Sequence, residues 1–174
     1  RNKKSVNLNV MRPEGREVLL RLLENADVLL EGFRPGKMEE LGIGYSNLKE
    51  RFPRLVYCAI SGYGDGGPLR DFAGHDGNYT ARAAVLGLTG AAAPVVPGIQ
   101  VADIAGGTLI ALSGILAALV SRAKTGLGQF VDVSMMDGAF SLIPLQAAEY
   151  VATGKDPERG QMPLSGALPN YACY

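Results

Sequence analysis

Apolar and polar positions along this chain fall into blocks whose period changes from one block to the next. "SVNLNV", Ser5 to Val10, alternates with a period of two and predicts a short strand. Pro13 suits a first helical turn. The following "EGREVLLRLLENA" carries an apolar stripe at Val18, Leu19, Leu22 and Leu23, so a helix is expected there. "DVLLEGF" reads as a strand running into a loop at "RPG". Ser46 is placed to cap a short helix through Glu50, with Pro53 after its end. "RLVYCAI" is strongly β-prone and predicts a buried strand entering the glycine-rich loop "SGYGDGGP". "NYTARAAVLGL" predicts a helix, and "GAAAPVVPG" a proline-punctuated loop. A long buried helix is expected from Asp103 to about Arg122. "GLGQFVDVSM" then gives a turn and a strand. "MDGAFSLIPLQAAEYVA" gives a further helix, kinked or broken at Pro144. From Thr153 onward the chain is polar, rich in Gly and Pro, and linker-like.

Strands that alternate with helices predict an α/β domain with a largely parallel sheet. In such sheets ligands bind at loops beyond the strand C-termini. Two loops meet that condition: "EGFRPG" after "DVLL", and "SGYGDGGP" through "AGHDGNY" after "RLVYCAI". No GxGxxG opens a helix after a strand and no GxxxxGK[ST] is present, so dinucleotide and P-loop fingerprints are absent.

Composition narrows the function classes. The 174 residues amount to about one domain, with 17 basic and 17 acidic side chains. That balance supplies no basic field for nucleic acid and no basic tail for a membrane surface. Cys58 and Cys173 match no zinc spacing, and with one histidine a structural metal is not expected. Nothing points to an oxidising compartment, so the expectation is a soluble, cytoplasmic protein. The basic opening "RNKKSVNLNV" is not followed by the apolar core of a signal peptide. Beginning at Arg1 and ending at "LPNYACY", the chain is expected to be a fragment of a longer protein. The uncharged run Ile104 to Val120 is near the short limit for a bilayer span. Its Gly, Ala and Ser content favours a helix packed closely on a sheet.

The chemistry-bearing residues lie in the loops. Arg34, flanked by Gly32 and Gly36, is either a phosphate-gripping guanidinium or a solvated turn residue; spacing alone does not decide. Asp103 precedes "IAGG" at the start of the long helix. It is either a helix cap or a carboxylate set among backbone N–H groups able to hold a developing oxyanion. Gly106 and Gly107 would let a substrate lie against that first turn. His75 is the only histidine. A histidine and a carboxylate on opposite sides of one carbon form a two-base device, each needing a pKa suited to its proton transfer. Asp76 is placed to orient the imidazole, although adjacent side chains often point apart.

The segments "ADVLLEGFRPGKMEELGIGY", "PRLVYCAISGYGDGGP", "AGHDGNY", "VADIAGGTLIALSGILAAL" and "TGLGQFVDVSMMDG", in this order after "RNKKSVNLNV", resemble the class III CoA-transferase (CaiB/BaiF-like) family, and within it the α-methylacyl-CoA racemase subgroup. The resemblance covers nearly the whole chain. It implies a Rossmann-like large domain, incomplete here, with residues 1–152 forming part of the CoA-binding large domain and 153–174 a linker toward a small domain. It implies an interlocked homodimer for the full-length protein. It implies that His75 and Asp103 are the two bases of α-proton exchange on an acyl-CoA, with no cofactor besides the CoA that belongs to the substrate. CoA contacts are implied from Leu8, Asn9, Val10 and Met11, from Gly32, Phe33 and Arg34, and from Gly74, Asp76, Gly77, Asn78 and Tyr79. Transferases of the family usually lack the histidine of the "GHD-x-NY" variant. Racemases usually read "GHDINY", and here Gly77 stands in the apolar position. The glutamate that supports the histidine in the family falls beyond Tyr174. The expected reaction is racemisation of a 2-methylacyl-CoA through an enolate, its oxygen held by backbone N–H groups near the start of the Asp103 helix. The alternatives are CoA transfer between carboxylic acids with Asp103 as nucleophile, and a non-catalytic CoA-binding module.

Overall fold

Val28–Glu31 (β1) and Val56–Ser61 (β2) pair in parallel, with Val28 opposite Val56 and Glu31 opposite Ala59. Phe130–Ser134 (β3) completes a three-stranded sheet in the order β1-β2-β3. The Tyr57 N–H donates to the Gln129 carbonyl at 2.9 Å, at the entry to β3. The structure is a computed structural model that describes residues 2–171, and Cys173 lies outside them. The chain divides into two compact units. One holds Arg1–Ala59 and Ala111–Asp132, the other Ile60–Ile110 and Val133–Tyr174.

The first unit is built on the side chains that the strands and Pro13–Leu23 (α1) turn inward. Leu23 of α1, Leu48, Leu55 and Tyr57 form one buried cluster. Tyr45 stacks on Phe130 at 5.2 Å and meets Tyr57 edge-on at 6.0 Å. Such aromatic pairs add to the burial of their area. Met38, Leu41 and Ile43 form a second cluster, onto which Val10, Leu19, Leu20 and Leu29 pack. Met38 belongs to Lys37–Glu40 (α2), a short helix that starts after Gly36, whose φ of 83° turns the chain. The next helix, Tyr45–Leu48 (α3), is capped at Gly44, whose N–H donates to the Asn47 side chain at 3.2 Å. Ser46 therefore lies inside the helix rather than capping it.

"SVNLNV" is not a strand. An alternating segment needs a neighbour to satisfy its backbone, and no strand pairs with this one among the described residues. It ends in a turn where Arg12 N–H donates to Asn9 O at 3.1 Å.

The long helix differs from expectation at its start and in its burial. Val101–Leu109 is a π-helical segment that runs directly into Ile110–Thr125 (α6). Its buried residues are small: Ala102, Gly106 and Gly107, then Ala111 and Ala118 in α6. Gly114 sits against the Val131 side chain of β3, so the helix does pack on the sheet. The large residues Ile104, Leu109, Leu112, Leu116 and Val120 are exposed, so the helix is not buried all round. The small residues face in because only they permit close approach of backbones. By length and composition, Val101–Thr125 is the one helix among the described residues able to cross a membrane, with mean hydropathy 2.0.

In the second unit the stretch expected as one helix is two. Asp76–Arg82 (α4) and Val85–Leu88 (α5) are separated by Ala84, a non-glycine residue at φ 64°. The last helical stretch is also divided. Met135–Phe140 (α7) ends before Pro144–Thr153 (α8), where the proline occupies a first-turn position, so it breaks rather than kinks the helix. Tyr63, Tyr79, Ala83, Ala102 and Ala139 form the buried cluster of this unit. From Gly154 to Tyr171 the chain is irregular apart from isolated bridges of Met162 with Ser165 and Gly166 and the short turn Pro169–Tyr171.

Arg122, near the C-terminus of α6, ties three segments of the first unit together. Its guanidinium donates to Asp27 Oδ1 at 2.7 Å, to the Asp27 carbonyl at 3.3 Å and to the Arg54 carbonyl at 3.0 Å, and its side chain is only 14% exposed. Arg122→Ala is expected to lower stability by about 1.5–3 kcal/mol, the range for hydrogen bonds to charged groups. Urea unfolding of the complete protein and its variant measures this.

Candidate active site

Within the second unit, β2 runs out at Ser61 into the glycine-rich loop, and the loop returns at Gly74 to start α4. The loop is held from below. The Tyr79 ring packs under Gly74, where an added Cβ would lie 2.7 Å from the ring, and the Tyr79 hydroxyl donates to the Gly74 carbonyl at 2.5 Å. Tyr63 meets the same ring edge-on at 5.1 Å. Burial, with Tyr63 and then Asp103 nearby, pushes the Tyr79 hydroxyl above the ordinary tyrosine range. Tyr79 is buried, and its phenol is engaged with the loop.

This support places His75 at the N-cap of α4, with extended backbone and an exposed side chain. Its own N–H donates to Asn78 Oδ1 at 3.0 Å, and its carbonyl accepts from Asn78 N–H at 2.8 Å. Asn78 thereby closes the first turn. Gly77 faces open space, since an added Cβ there would meet nothing within 4 Å.

Asp76 does not orient the imidazole. Its Oδ1 accepts from the N–H of Ala102 at 2.7 Å and of Asp103 at 3.0 Å, so it caps the π-helical segment rather than its own helix. The next donor, Ile104 N–H, is taken by the Gln100 carbonyl at 3.0 Å. The N–H groups that the sequence reading offered to an enolate oxygen are thus already occupied. Gly106 and Gly107 are also not open to a substrate. A Cβ on Gly106 would lie 2.5 Å from the Met135 carbonyl oxygen, and one on Gly138 2.0 Å from the Gly106 oxygen. These glycines let the π segment and α7 touch backbone to backbone. The signal for this contact was present in "MMDG", whose Gly138 had no other evident use.

Asp103 is partly buried and its carboxyl is held above the ordinary aspartate range. Burial is the larger cause and the Asp76 carboxylate the second, while His75 pulls the other way. His75 is thus near enough to Asp103 to bear on its ionisation.

The other residues implied in CoA contact lie in the first unit. Gly32, Phe33 and Arg34 follow β1 directly and are exposed. Phe33 N–H donates to Glu31 Oε2 at 2.7 Å, and Lys37 N–H to the Arg34 carbonyl at 3.0 Å, fixing the turn. The Arg34 guanidinium has no carboxylate partner among the described residues. Leu8 and Val10 are half-buried, while Asn9 and Met11 are exposed. Cys58 is buried in β2, and burial together with Glu31 and Asp132 pushes its thiol up to about 11, so it is no nucleophile.

Comparison with known proteins shows the family. The whole chain, residues 1–174, matches the model of CoA-transferase family III, and it belongs to that family. It is 40% identical to the α-methylacyl-CoA racemase of Homo sapiens over 100% of the chain and 46% of that protein. It is 42% identical to an acyl-CoA transferase of Fusarium pseudograminearum over 91% of the chain and 35% of that protein. A CAIB/BAIF family protein from Brucella suis superposes with a TM-score of 0.87 at 37% identity, covering 91% of this chain and 42% of that one. The chain thus spans less than half the length of these relatives.

The two kinds of glycine separate in a stability measurement. Gly106→Ala forces backbone apart and is expected to cost about 1–3 kcal/mol. Gly77→Ala, with open space and no positive φ, is expected to gain about 0.4–1 kcal/mol. Thermal unfolding of both variants checks the contrast.

Proposed function

We propose that the complete protein is an acyl-CoA α-racemase that exchanges the α-proton of a 2-methylacyl-CoA thioester by a two-base mechanism. The observation that carries this reading is the placement of His75 at an exposed helix cap within electrostatic reach of Asp103. The human racemase relative, aligned along all of the chain, supports it further.

The thioester acidifies its α-proton. One of the two groups removes it, an enolate forms, and the other group returns a proton to the opposite face. An imidazole can accept a proton on one ring nitrogen and give it back, which makes it usable in either direction. A carboxylate is ordinarily a weak base, and burial beside Asp76 strengthens Asp103 in that role. With the Ala102 and Asp103 N–H groups occupied, the enolate oxygen is assigned to the N–H groups of Asp76 and Gly77, which have no acceptor among the described residues. Arg34 is assigned to a CoA phosphate. Leu8 to Met11, Gly32 and Phe33 are assigned to the rest of the CoA.

A second reading, CoA transfer through an Asp103 acyl intermediate, is favoured by the identity to the Fusarium transferase. It leaves His75 without a role. In deuterium oxide with a 2-methylacyl-CoA, the complete wild-type protein is expected to racemise substrate and to wash in deuterium at the α-carbon. His75→Ala and Asp103→Ala should each abolish racemisation, while each retains slow exchange from one face only. The rate for the enantiomer that Asp103 deprotonates requires its ionised form. It should therefore fall on acidification at a higher pH than an ordinary aspartate would give. Racemisation by His75→Ala at the wild-type rate, or CoA movement between free acids and thioesters without deuterium uptake, would move the assignment to the transferase.

The phosphate role is tested separately. Arg34→Ala is expected to weaken CoA binding by about 1.5–3 kcal/mol, as for loss of a charge-assisted hydrogen bond. Isothermal calorimetry with CoA reads it directly, and unchanged affinity would remove Arg34 from the site.

A further inference from the structure

We propose that Asp76 is a positioning residue for Asp103: by accepting the Ala102 and Asp103 N–H groups on one carboxylate oxygen, it fixes the start of the helix that carries Asp103 and so sets where that carboxyl stands relative to His75. The proposal rests on the two-base reading for its catalytic meaning, and on geometry for its structural content.

Asp76 is the first residue of α4, where an acidic side chain ordinarily serves its own helix. Here it does not. Asn78 closes the α4 turn by accepting the His75 N–H, which leaves the Asp76 carboxylate free to reach a segment 26 and 27 residues away. Ala102 is fully buried, so its N–H has no water to turn to if the carboxylate is removed. The Thr80 hydroxyl donates to the Asp76 carbonyl at 2.8 Å and to the Gly77 carbonyl at 3.2 Å, which steadies the same turn from behind. His75 and Asp76 are adjacent in the chain. The residue that pins the Asp103 helix is thus covalently bound to the residue proposed to act with Asp103. A shift of one base moves the anchor of the other.

The charge has a second effect in the same direction. The Asp76 carboxylate opposes ionisation of Asp103 beside it. The other groups facing Asp103 from α4 and its cap are His75 and Tyr79. On α7, packed against the same segment, the charged residue is Asp137.

The test compares Asp76→Ala with Asp76→Asn in the complete protein. Asn keeps an acceptor oxygen and loses the charge; Ala loses both. Asp76→Ala is expected to lower the racemisation kcat by about 10- to 100-fold, the penalty of a misplaced group, with the KM for acyl-CoA little changed. Asp76→Asn should recover most of that loss, and its acid limb should move to lower pH because Asp103 then titrates closer to an ordinary aspartate. Carbon-13 NMR titration of the Asp103 carboxyl gives the same shift without reference to turnover. If wild type washes in no deuterium yet Asp76→Asn lowers the Asp103 titration point, the racemase reading fails and the positioning role stands. If both variants match wild type in kcat, acid limb and titration, the positioning role is overturned.

Discussion

The close crossing of the π segment on α7 at Gly106 and Gly138 is the constraint from which the rest of the site follows. Two helices with side chains at the contact keep their axes about 8–10 Å apart. Glycine on both sides removes that spacer, so carbonyl and amide groups of the two backbones meet directly. The cost is conformational entropy in the unfolded chain. It is offset by close packing around Ala102 and Ala139, both fully buried. α7 is itself fixed, since Ser134 caps it through Asp137 N–H and Met136 N–H donates to the Gly62 carbonyl. The helix carrying Asp103 is therefore seated on an element anchored to the same glycine-rich loop that leads to His75.

Electrostatics then uses what packing has placed. Three ionisable groups lie close together within the second unit, two carboxylates and an imidazole. The two carboxylates do not share their environment. Asp76 Oδ1 accepts two backbone N–H groups, while Asp103 is partly buried and carries the like-charge penalty. A pair of neighbouring acids whose surroundings push them apart in basicity is the usual route to distinct roles from one residue type.

The sequence disclosed the elements that announce themselves locally. β1 and β2 were legible because apolar, β-prone runs bounded by turn residues seldom fit anything else, and α1 because its stripe and Pro13 agree. The resemblance of the ordered motifs to class III CoA-transferases was also legible and matches the family found. "SVNLNV" misled because alternation describes one strand while a ladder needs two. Ile104 to Val120 misled because an apolar run tells how much surface prefers burial, not which side chains obtain it. Ala102, Gly106 and Ala111 are inside, and Leu112 and Leu116 are not. Gly106 and Gly107 were read as an open approach for substrate; glycine permits any close neighbour, and here the neighbour is α7. The capping of the π segment by Asp76 joins residues too far apart in the chain for any spacing rule to find.

The π-helical form of Val101–Leu109 makes the site sensitive to length as well as to identity. A π turn holds its residues by i→i+5 bonds, one step wider than the α ladder that continues in α6. Deleting a single residue from this stretch would let it relax into an ordinary α-helix and keep every apolar contact type. The same deletion would change the turn on which Asp103 is carried, and so where its carboxyl stands relative to Asp76 and α4. Among relatives, a one-residue gap here would therefore mark a changed chemistry even where histidine and aspartate are both retained.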